Sequence, residues 1–246
     1  AMAGGMAKQG LVPVFAVYDS FLQRGYDMLV QDAALEGLHV VLAVDRCGIV
    51  GADGETHHGC LDYLSQIPGM TVLAPASFAE LRQMLRRAVL ELDGPVAVRY
   101  PRGGECGYAG DCGDAAVSIL REGGDAAVVT CGILTGQALA AAETLEKEGV
   151  DVRVVKIDRV SPLDGGAVRA ALEGVRRVVV AEDQLRSGAL GERLGALLLE
   201  QGAGAERLVL RNAGMALPSQ GTTAELWHAL GLDAEGIAQA VREVLA

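Results

Sequence analysis

The chain has 246 residues, half of them apolar, and its 32 acidic and 21 basic side chains give a formal net charge of −11. This balance argues against a nucleic-acid-binding or anionic-membrane-binding surface, since both need clustered Lys and Arg. No stretch approaches the roughly 18–20 apolar residues of a membrane helix and no signal-peptide pattern is present, which predicts a cytoplasmic protein. The five cysteines form no CxxC pair, so the sequence indicates reduced thiols rather than a disulfide framework or a zinc site.

Apolar runs of strand length alternate with segments of helical period along the whole chain. This alternation is typical of an α/β fold in which mostly parallel sheets are flanked by helices. Ser77 and Glu80 have the spacing of a capping box and predict the start of a helix with one apolar face. Residues 1–9 resemble the second half of a helix that ends at Gly10, so we expect a further segment upstream. The strands predicted in the first half are Leu11–Val17, His39–Val44, Thr71–Ala74 and Val96–Val98.

A second α/β unit is predicted after a stretch rich in Gly and Asp that follows Arg102 and has no period. Thr222 and Glu225 repeat the capping-box spacing in this unit. Its predicted strands are Ala126–Cys131, Val152–Ile157, Val175–Ala181 and Leu208–Leu210. Its predicted helices are Thr135–Lys147, Asp164–Glu173, Gly188–Gln201, Thr222–Leu230 and Asp233–Leu245.

Chemically active side chains gather at the carboxyl ends of the predicted strands in the first half. Open α/β sheets bind ligands at this edge. The loop sequence DRCGIVGADGETHHG is rich in glycine, which suits a backbone that closes over a ligand. The four clusters are Tyr18–Arg24, Asp45–Arg46, Asp53–His58 and Arg99–Arg102.

These motifs, in this order, resemble the 1-deoxy-D-xylulose-5-phosphate synthases, thiamine-diphosphate enzymes of the transketolase superfamily. The resemblance is carried by PVFAVYDSFLQRGYD, LAVDRCGIVGADGETHHG, IPGMTVLAPASFAELRQML, DGPVAVRYPRG and LPSQGTTAELWHALGLDAEGI. It implies a thiamine-diphosphate-binding fold with a pyrimidine-binding domain over 1–104, whose N-terminal part lies outside the sequence. A linker over 105–122 and a transketolase C-terminal domain over 123–246 would follow.

The resemblance also implies roles for individual residues. Tyr18, Phe21 and Arg24 would line the pocket of the cofactor's aminopyrimidine, with Phe21 stacking on the ring. Arg46 and Arg102 would bind the phosphate of glyceraldehyde 3-phosphate, for which a forked guanidinium is well suited. As catalytic and substrate-binding groups, Asp53 and His57 would orient hydroxyls or move protons. No metal ligand is predicted in this chain.

The sequence departs from the family pattern at several points. The glutamate that activates thiamine and the motif that holds Mg²⁺ and the diphosphate belong to regions of the family that these 246 residues do not include. Between Gly59 and Ile67 the chain is about two residues shorter than the family loop. Asp19 follows Tyr18 where a small hydroxyl residue is usual. We therefore expect a rearranged loop after His57.

Each candidate residue also has a simpler interpretation. His57 and His58 could be solvated loop histidines, and their spacing with Cys60 matches no usual metal site. Arg102 could be a surface cation. The motif Asp45–Arg46 could be a local ion pair of little energetic value. In the second unit, Glu182–Asp183 could be an acid/base pair, although we expect an exposed strand end there.

The sequence therefore predicts the C-terminal portion of such a synthase, inactive alone. The whole enzyme would use thiamine diphosphate and Mg²⁺ to condense pyruvate with glyceraldehyde 3-phosphate, as a homodimer whose absent N-terminal domain or partner chain holds the diphosphate. The alternatives are a half-subunit of a split transketolase-like enzyme and a non-catalytic module retained for dimerisation.

Overall fold

The computed structural model describes residues 1–202 and 205–246 as two five-stranded sheets flanked by helices. The predicted α/β class is confirmed. The strands are β1 Val14–Tyr18, β2 Val41–Asp45, β3 Thr71–Leu73, β4 Val96–Arg99, β5 Val117–Arg121, β6 Ala126–Thr130, β7 Val152–Ile157, β8 Arg159–Ser161, β9 Arg177–Ala181 and β10 Arg207–Arg211. The helices are α1 Met2–Lys8, α2 Asp19–Leu22, α3 Tyr26–Met28, α4 Phe78–Leu90, α5 Thr135–Glu146, α6 Gly165–Ala171, α7 Leu190–Glu200, α8 Thr223–Leu230 and α9 Ala234–Leu245.

The first sheet has the strand order β1-β2-β4-β3-β8 and the second the order β10-β9-β6-β7-β5. Four strands of each sheet are parallel, and β8 and β5 each add one antiparallel edge. Within the described part of the chain, no helix combines the length and the hydrophobicity that a bilayer span requires.

The two antiparallel edge strands, β5 and β8, were not predicted from the sequence. Strand β5 lies within residues 105–122, which the sequence predicts to be a linker, and pairs with β7 in the second sheet. Strand β8 follows β7 directly along the chain but pairs with β3 of the first sheet. Short strands at a sheet edge carry little hydrophobic periodicity, so the pattern of residues did not show them. The predicted domain boundaries at 104 and 123 stay predictions.

Four of the nine α-helices named above begin at an N-cap side chain that accepts a first-turn N–H. Asp164, Thr222 and Asp233 each accept a backbone N–H of the first turn, so they are N-caps just outside the helices that they were predicted to begin. The predicted box at Thr222 and Glu225 is complete.

The predicted capping box at Ser77 is only half formed. Ser77 Oγ accepts the N–H of Glu80 at 3.1 Å, but the Glu80 carboxylate accepts the N–H of Ala76 at 2.8 Å. The same carboxylate lies 2.9 Å from the buried Lys156 ammonium, which also contacts Asp158. A buried cation needs anionic partners, and this demand turns Glu80 away from the helix terminus.

One hydrophobic core connects the two sheets. Leu64 and Met70 from the first half and Leu190 and Leu194 from the second belong to the same cluster of buried side chains. The two halves are therefore packed against each other, and residues from both can contribute to a site along their junction.

Candidate active site

Three neighbouring parallel strands bring the predicted residues of the first half together. Strands β1, β2 and β4 are adjacent, and their carboxyl ends lie at one edge of the sheet. Tyr18 ends β1, Asp45 ends β2, and Arg102 lies in the turn that follows β4. The convergence predicted from the sequence is present.

Four of the predicted residues form a continuous stack. The Arg46 guanidinium lies 3.8 Å from the centroid of the Tyr18 ring, a cation–π contact. The Tyr18 and Phe21 rings are stacked at 5.2 Å with an interplanar angle of 22°. Phe21 then meets the His57 ring edge-on at 5.6 Å. Because Phe21 is 52% exposed, one face of its ring is open to a planar ligand.

Asp53 joins the two arginines that were predicted to bind phosphate. Its Oδ2 accepts Arg46 Nε at 2.9 Å, and its Oδ1 is bound by Arg102. Asp45 also binds the Arg46 guanidinium, at 3.0 Å. Burial lowers the pKa of Arg46, but the neighbouring Asp45 and Asp53 outweigh it and raise that pKa. Arg46 has a φ of 56°, a left-handed conformation that a non-glycine residue adopts only where its surroundings enforce it.

Arg24 lies apart from this cluster. It is exposed and lines an apolar cavity of about 310 Å³ together with Phe21 and Met28. Among the described residues it has no ion-pair partner. The structure thus brings Arg24 near Phe21, as the prediction of a cofactor pocket requires, but not to the other two arginines.

His57, His58 and Cys60 point into different surroundings. His57 is half-buried beside Phe21, and its Nδ1 lies 3.0 Å from Thr56 Oγ1. His58 is buried with both ring nitrogens in hydrogen bonds, and Cys60 is buried in an apolar cluster. Among the described residues, the one cluster that could ligate a metal consists of Glu80, Cys112 and Asp158, away from these histidines. The Lys156 ammonium contacts both carboxylates of that cluster.

Two family models together match nearly the whole chain. The transketolase pyrimidine-binding domain matches residues 1–104, and the transketolase C-terminal domain matches residues 115–237. The chain belongs to the transketolase family.

Among curated relatives, 1-deoxy-D-xylulose-5-phosphate synthase 2 of Geobacter sulfurreducens is 41% identical over 252 residues, which cover 99% of this chain and 40% of the relative. The 1-deoxy-D-xylulose-5-phosphate synthase of Thioalkalivibrio sulfidiphilus is 43% identical and is covered to 38%. The chain thus spans about two fifths of the length of these relatives. A solved structure titled as a split gene transketolase, inactive beta4 tetramer, superposes with a TM-score of 0.87 at 27% identity, covering 99% of this chain and 80% of that one.

Beneath the exposed edge of this transketolase-family sheet lies a buried polar layer that the sequence analysis did not predict. Asp19 is 0% exposed, and within the described part of the chain neither carboxylate oxygen has a hydrogen-bond partner. Burial raises the pKa of Asp19 to about 6, although the Arg99 charge acts in the opposite direction. Arg99 is itself buried and lies 4.0 Å from Asp62, which Arg193 of the second half binds at 2.7 Å. The departure from the family pattern at Asp19 was the one sequence signal for this layer.

The prediction of an exposed strand end at Glu182–Asp183 is wrong. Glu182 is 1% exposed, and its carboxylate accepts the N–H groups of Leu190 and Gly191, each at 2.8 Å, at the start of α7. Burial raises the pKa of Glu182 to about 8 against the effect of these two hydrogen bonds. Asp183 lies against the backbone of Gly48, where a Cβ would overlap its carboxylate. Helix α7 covers Glu182, and the loop that contains Gly48 covers Asp183. The periodicity of a single strand does not record which other segments pack against its end.

Proposed function

We propose that the chain is the C-terminal portion of a 1-deoxy-D-xylulose-5-phosphate synthase, which decarboxylates pyruvate and condenses the remaining two carbons with glyceraldehyde 3-phosphate. The observation that carries the proposal is the pair of guanidinium groups of Arg46 and Arg102, held on one carboxylate, Asp53. Because the two guanidinium groups already converge on the carboxylate of Asp53, they are placed to bind the same phosphate group together. A phosphate presents several acceptor oxygens for them. The names of the curated relatives support the same reaction.

The exposed aromatic stack fits the aminopyrimidine of thiamine diphosphate. Phe21 offers an open ring face, and Tyr18 and His57 hold that ring from two sides. Thiamine diphosphate, when bound, supplies the electron sink for decarboxylation. We propose that its diphosphate and Mg²⁺ are held by a region outside these 246 residues, in the same polypeptide or in a partner chain, since the curated relatives are about two and a half times as long.

The remaining roles follow from position. His57 packs against Phe21 and lies close to where a stacked ring would sit, so it is placed to orient a substrate hydroxyl or move a proton. Asp53 holds the arginines before the substrate binds and can act on the acceptor once the phosphate competes for them. Arg24 would line the outer wall of the cofactor pocket. We propose a cytoplasmic location, since all five cysteines are free thiols, and a homodimer, which the resemblance to the synthases implies.

The test compares two acceptors with the enzyme that includes the upstream region. Arg102→Ala should lower kcat/KM for glyceraldehyde 3-phosphate by an amount equivalent to about 2–4 kcal/mol of transition-state stabilisation. This is the range for losing a charge-assisted contact in a partly desolvated site. The value for glyceraldehyde should hardly change, because that acceptor has no phosphate. Arg102→Lys should recover part of the loss, since an ammonium cannot reproduce the guanidinium fork.

The competing outcomes are distinct. Equal losses for both acceptors would show that Arg102 supports the loop structurally and would refute the phosphate site. An intact enzyme that consumes neither pyruvate nor glyceraldehyde 3-phosphate would refute the proposed reaction itself.

A second candidate is a half-subunit of a split transketolase-like enzyme. The observation in its favour is that the chain covers 80% of the structure titled as a split gene transketolase, against 40% of the curated synthase. An antibody raised against this chain distinguishes the two on a blot of the source cells. One band near 25.5 kDa would support the split subunit, and one band of about two and a half times that mass would support the longer synthase.

A further inference from the structure

The loop of residues 46–60, here called the arginine loop, packs against the C-terminal half of the chain. The N–H of Leu185 donates to the carbonyl of Cys60 at 2.8 Å. A Cβ at Gly48 would overlap the Asp183 carboxylate, and a Cβ at Gly51 would overlap the carbonyl of Gly221. Both ends of the loop and its middle therefore touch residues that follow β9 or precede α8, so its position depends on the second half.

The side chain of His58 connects the middle of the arginine loop to the C-terminal half. His58 is 3% exposed, and its Nδ1 accepts the N–H of Val50 at 3.0 Å. An accepting Nδ1 carries no proton, so the neutral imidazole is protonated at Nε2, which donates to the carbonyl of Ser219 at 3.3 Å. His58 thus uses one acceptor and one donor, to the loop and to the C-terminal half.

The connection continues from Val50 to the two arginines. The carbonyl of Val50 accepts the N–H of Asp53, which closes the short turn carrying the Asp53 side chain. Asp53 in turn binds Arg46 and Arg102. A displacement of Val50 would therefore move the carboxylate on which both guanidinium groups converge.

We propose that His58 is a positioning residue that places the Asp53 turn, and with it the Arg46–Arg102 pair, relative to the C-terminal half. The C-terminal half then sets the geometry of the acceptor phosphate site in addition to any part in assembly. The kinetic side of this inference rests on the proposed function. The structural side does not, because the hydrogen bonds exist whatever the substrate.

The decisive comparison is between two substitutions of the same histidine. Glutamine carries an amide oxygen that can accept from Val50 and an NH₂ that can donate to Ser219, whereas alanine offers neither. In the enzyme with its upstream region, His58→Ala should lower kcat/KM for glyceraldehyde 3-phosphate about tenfold or more, mainly through KM, and His58→Gln should stay within about threefold of wild type. With glyceraldehyde as acceptor, both variants should stay within about threefold of wild type, because no phosphate has to be placed.

His39 provides the matched control. Like His58, it has a hydrogen bond to a backbone carbonyl, that of Ala88 at 2.7 Å, but it is half-buried and lies away from the arginine loop. His39→Ala should lower thermal stability without any preference between the two acceptors. A His58→Ala variant that behaves in the same way would overturn the proposal.

A second substitution disturbs a neighbouring backbone contact between the arginine loop and the C-terminal half. Gly51→Ala places a methyl group against Gly221 and should displace the loop from the C-terminal half. It should reproduce the selective loss expected for His58→Ala. Gly5→Ala is its control, because a Cβ there meets nothing within 4 Å. Equal kinetics for the two glycine variants would contradict the inference.

Amide hydrogen exchange tests the proposal without any enzymatic activity. In the 246-residue chain, His58→Ala should speed exchange in the segments around Val50 and Ser219 together, and His58→Gln should restore slow exchange in both. If only the segment around Val50 responds, or neither does, His58 does not couple the two halves and the proposal is wrong. An enzyme inactive towards pyruvate and glyceraldehyde 3-phosphate would refute the proposed function but leave this readout decisive.

Discussion

The carboxyl edges of the two parallel sheets differ in what covers them. At the first edge, Phe21 is 52% exposed and the Arg102 side chain is 47% exposed. At the second edge, Thr130 and Glu182 are 0% and 1% exposed, and their side chains are hydrogen-bonded to backbone groups inside the fold. The same topological position is open to a ligand in one sheet and closed in the other.

This difference shows that strand-end chemistry alone does not identify a ligand site. Glu182 has the residue type of a general acid or base, but it is 1% exposed and the start of helix α7 uses both of its carboxylate oxygens as acceptors. The Phe21 and Arg102 side chains on the first edge stay about half exposed. Residues that follow the second edge contact the arginine loop of the first, through Leu185 to Cys60 and Asp183 to Gly48.

The largest expected effect on stability is on the closed edge. Glu182→Ala removes the acceptor of two buried N–H groups at the start of α7, so the free energy of unfolding should fall by about 2–3 kcal/mol. Urea denaturation of the chain measures it. Glu200→Ala, on the exposed end of the same helix, is the control and should change stability by less than about 0.5 kcal/mol. A Glu182→Ala loss as small as that of the control would remove the distinction between the edges.

The next effect is on the buried layer beneath the open edge. The pKa of Asp19 is about 6 in the folded chain against an ordinary value of 3.8, so its contribution to stability is complete below about pH 4 and is lost as the pH rises through 6. At pH 8 the buried carboxylate is ionised and costs stability, which Asn does not. Asp19→Asn should therefore raise the free energy of unfolding by about 1–2 kcal/mol at pH 8, and by less at pH 5.

The exposed Asp27 serves as the control for this measurement, because Asp27→Asn removes a solvated carboxylate from the same stretch of chain. Thermal or urea unfolding at the two pH values gives the comparison. A loss for Asp19→Asn at pH 8 would show that the interaction with Arg99 outweighs the cost of burial, and a gain that is independent of pH would show that Asp19 does not titrate between pH 5 and pH 8.

A smaller effect is expected on the aromatic stack. In the longer synthase that we propose, Phe21→Ala should weaken binding of thiamine diphosphate by about 1 kcal/mol, or about fivefold in Kd, because a stacking face is removed. The melting temperature should change little, since the ring is 52% exposed. Phe78→Ala removes a ring that is 53% exposed on α4 and should leave the Kd unchanged. Lost stability with unchanged cofactor affinity would make Phe21 a structural residue.

The smallest effect on stability is expected at Asp53. Its ion pairs with Arg46 and Arg102 join partly exposed side chains, and such pairs contribute at most about 1 kcal/mol. Asp53→Asn should therefore change the free energy of unfolding by less than about 1 kcal/mol in urea titrations, well below the effect at Glu182. A loss of more than about 2 kcal/mol would mean that the open edge is structural as well.

Much of the fold and part of the candidate site could be predicted from local sequence. The apolar run over Val152–Ile157 became a strand with those bounds, and the capping box at Thr222 formed completely, because both depend on residues close in the chain. The gathering of Tyr18, Arg46 and Arg102 followed from one rule, that neighbouring parallel strands end at the same edge.

The amino-acid sequence by itself determined the α/β class, most strands and helices, and the residue types at the strand ends. Only the tertiary structure decided that Asp53 joins two arginines, that Glu182 is covered, and that His58 reaches Ser219 across 161 positions of the chain. Periodicity and capping are properties of consecutive residues. Burial and long-range hydrogen bonds depend on which surfaces the folded halves bring together, and no local pattern records that.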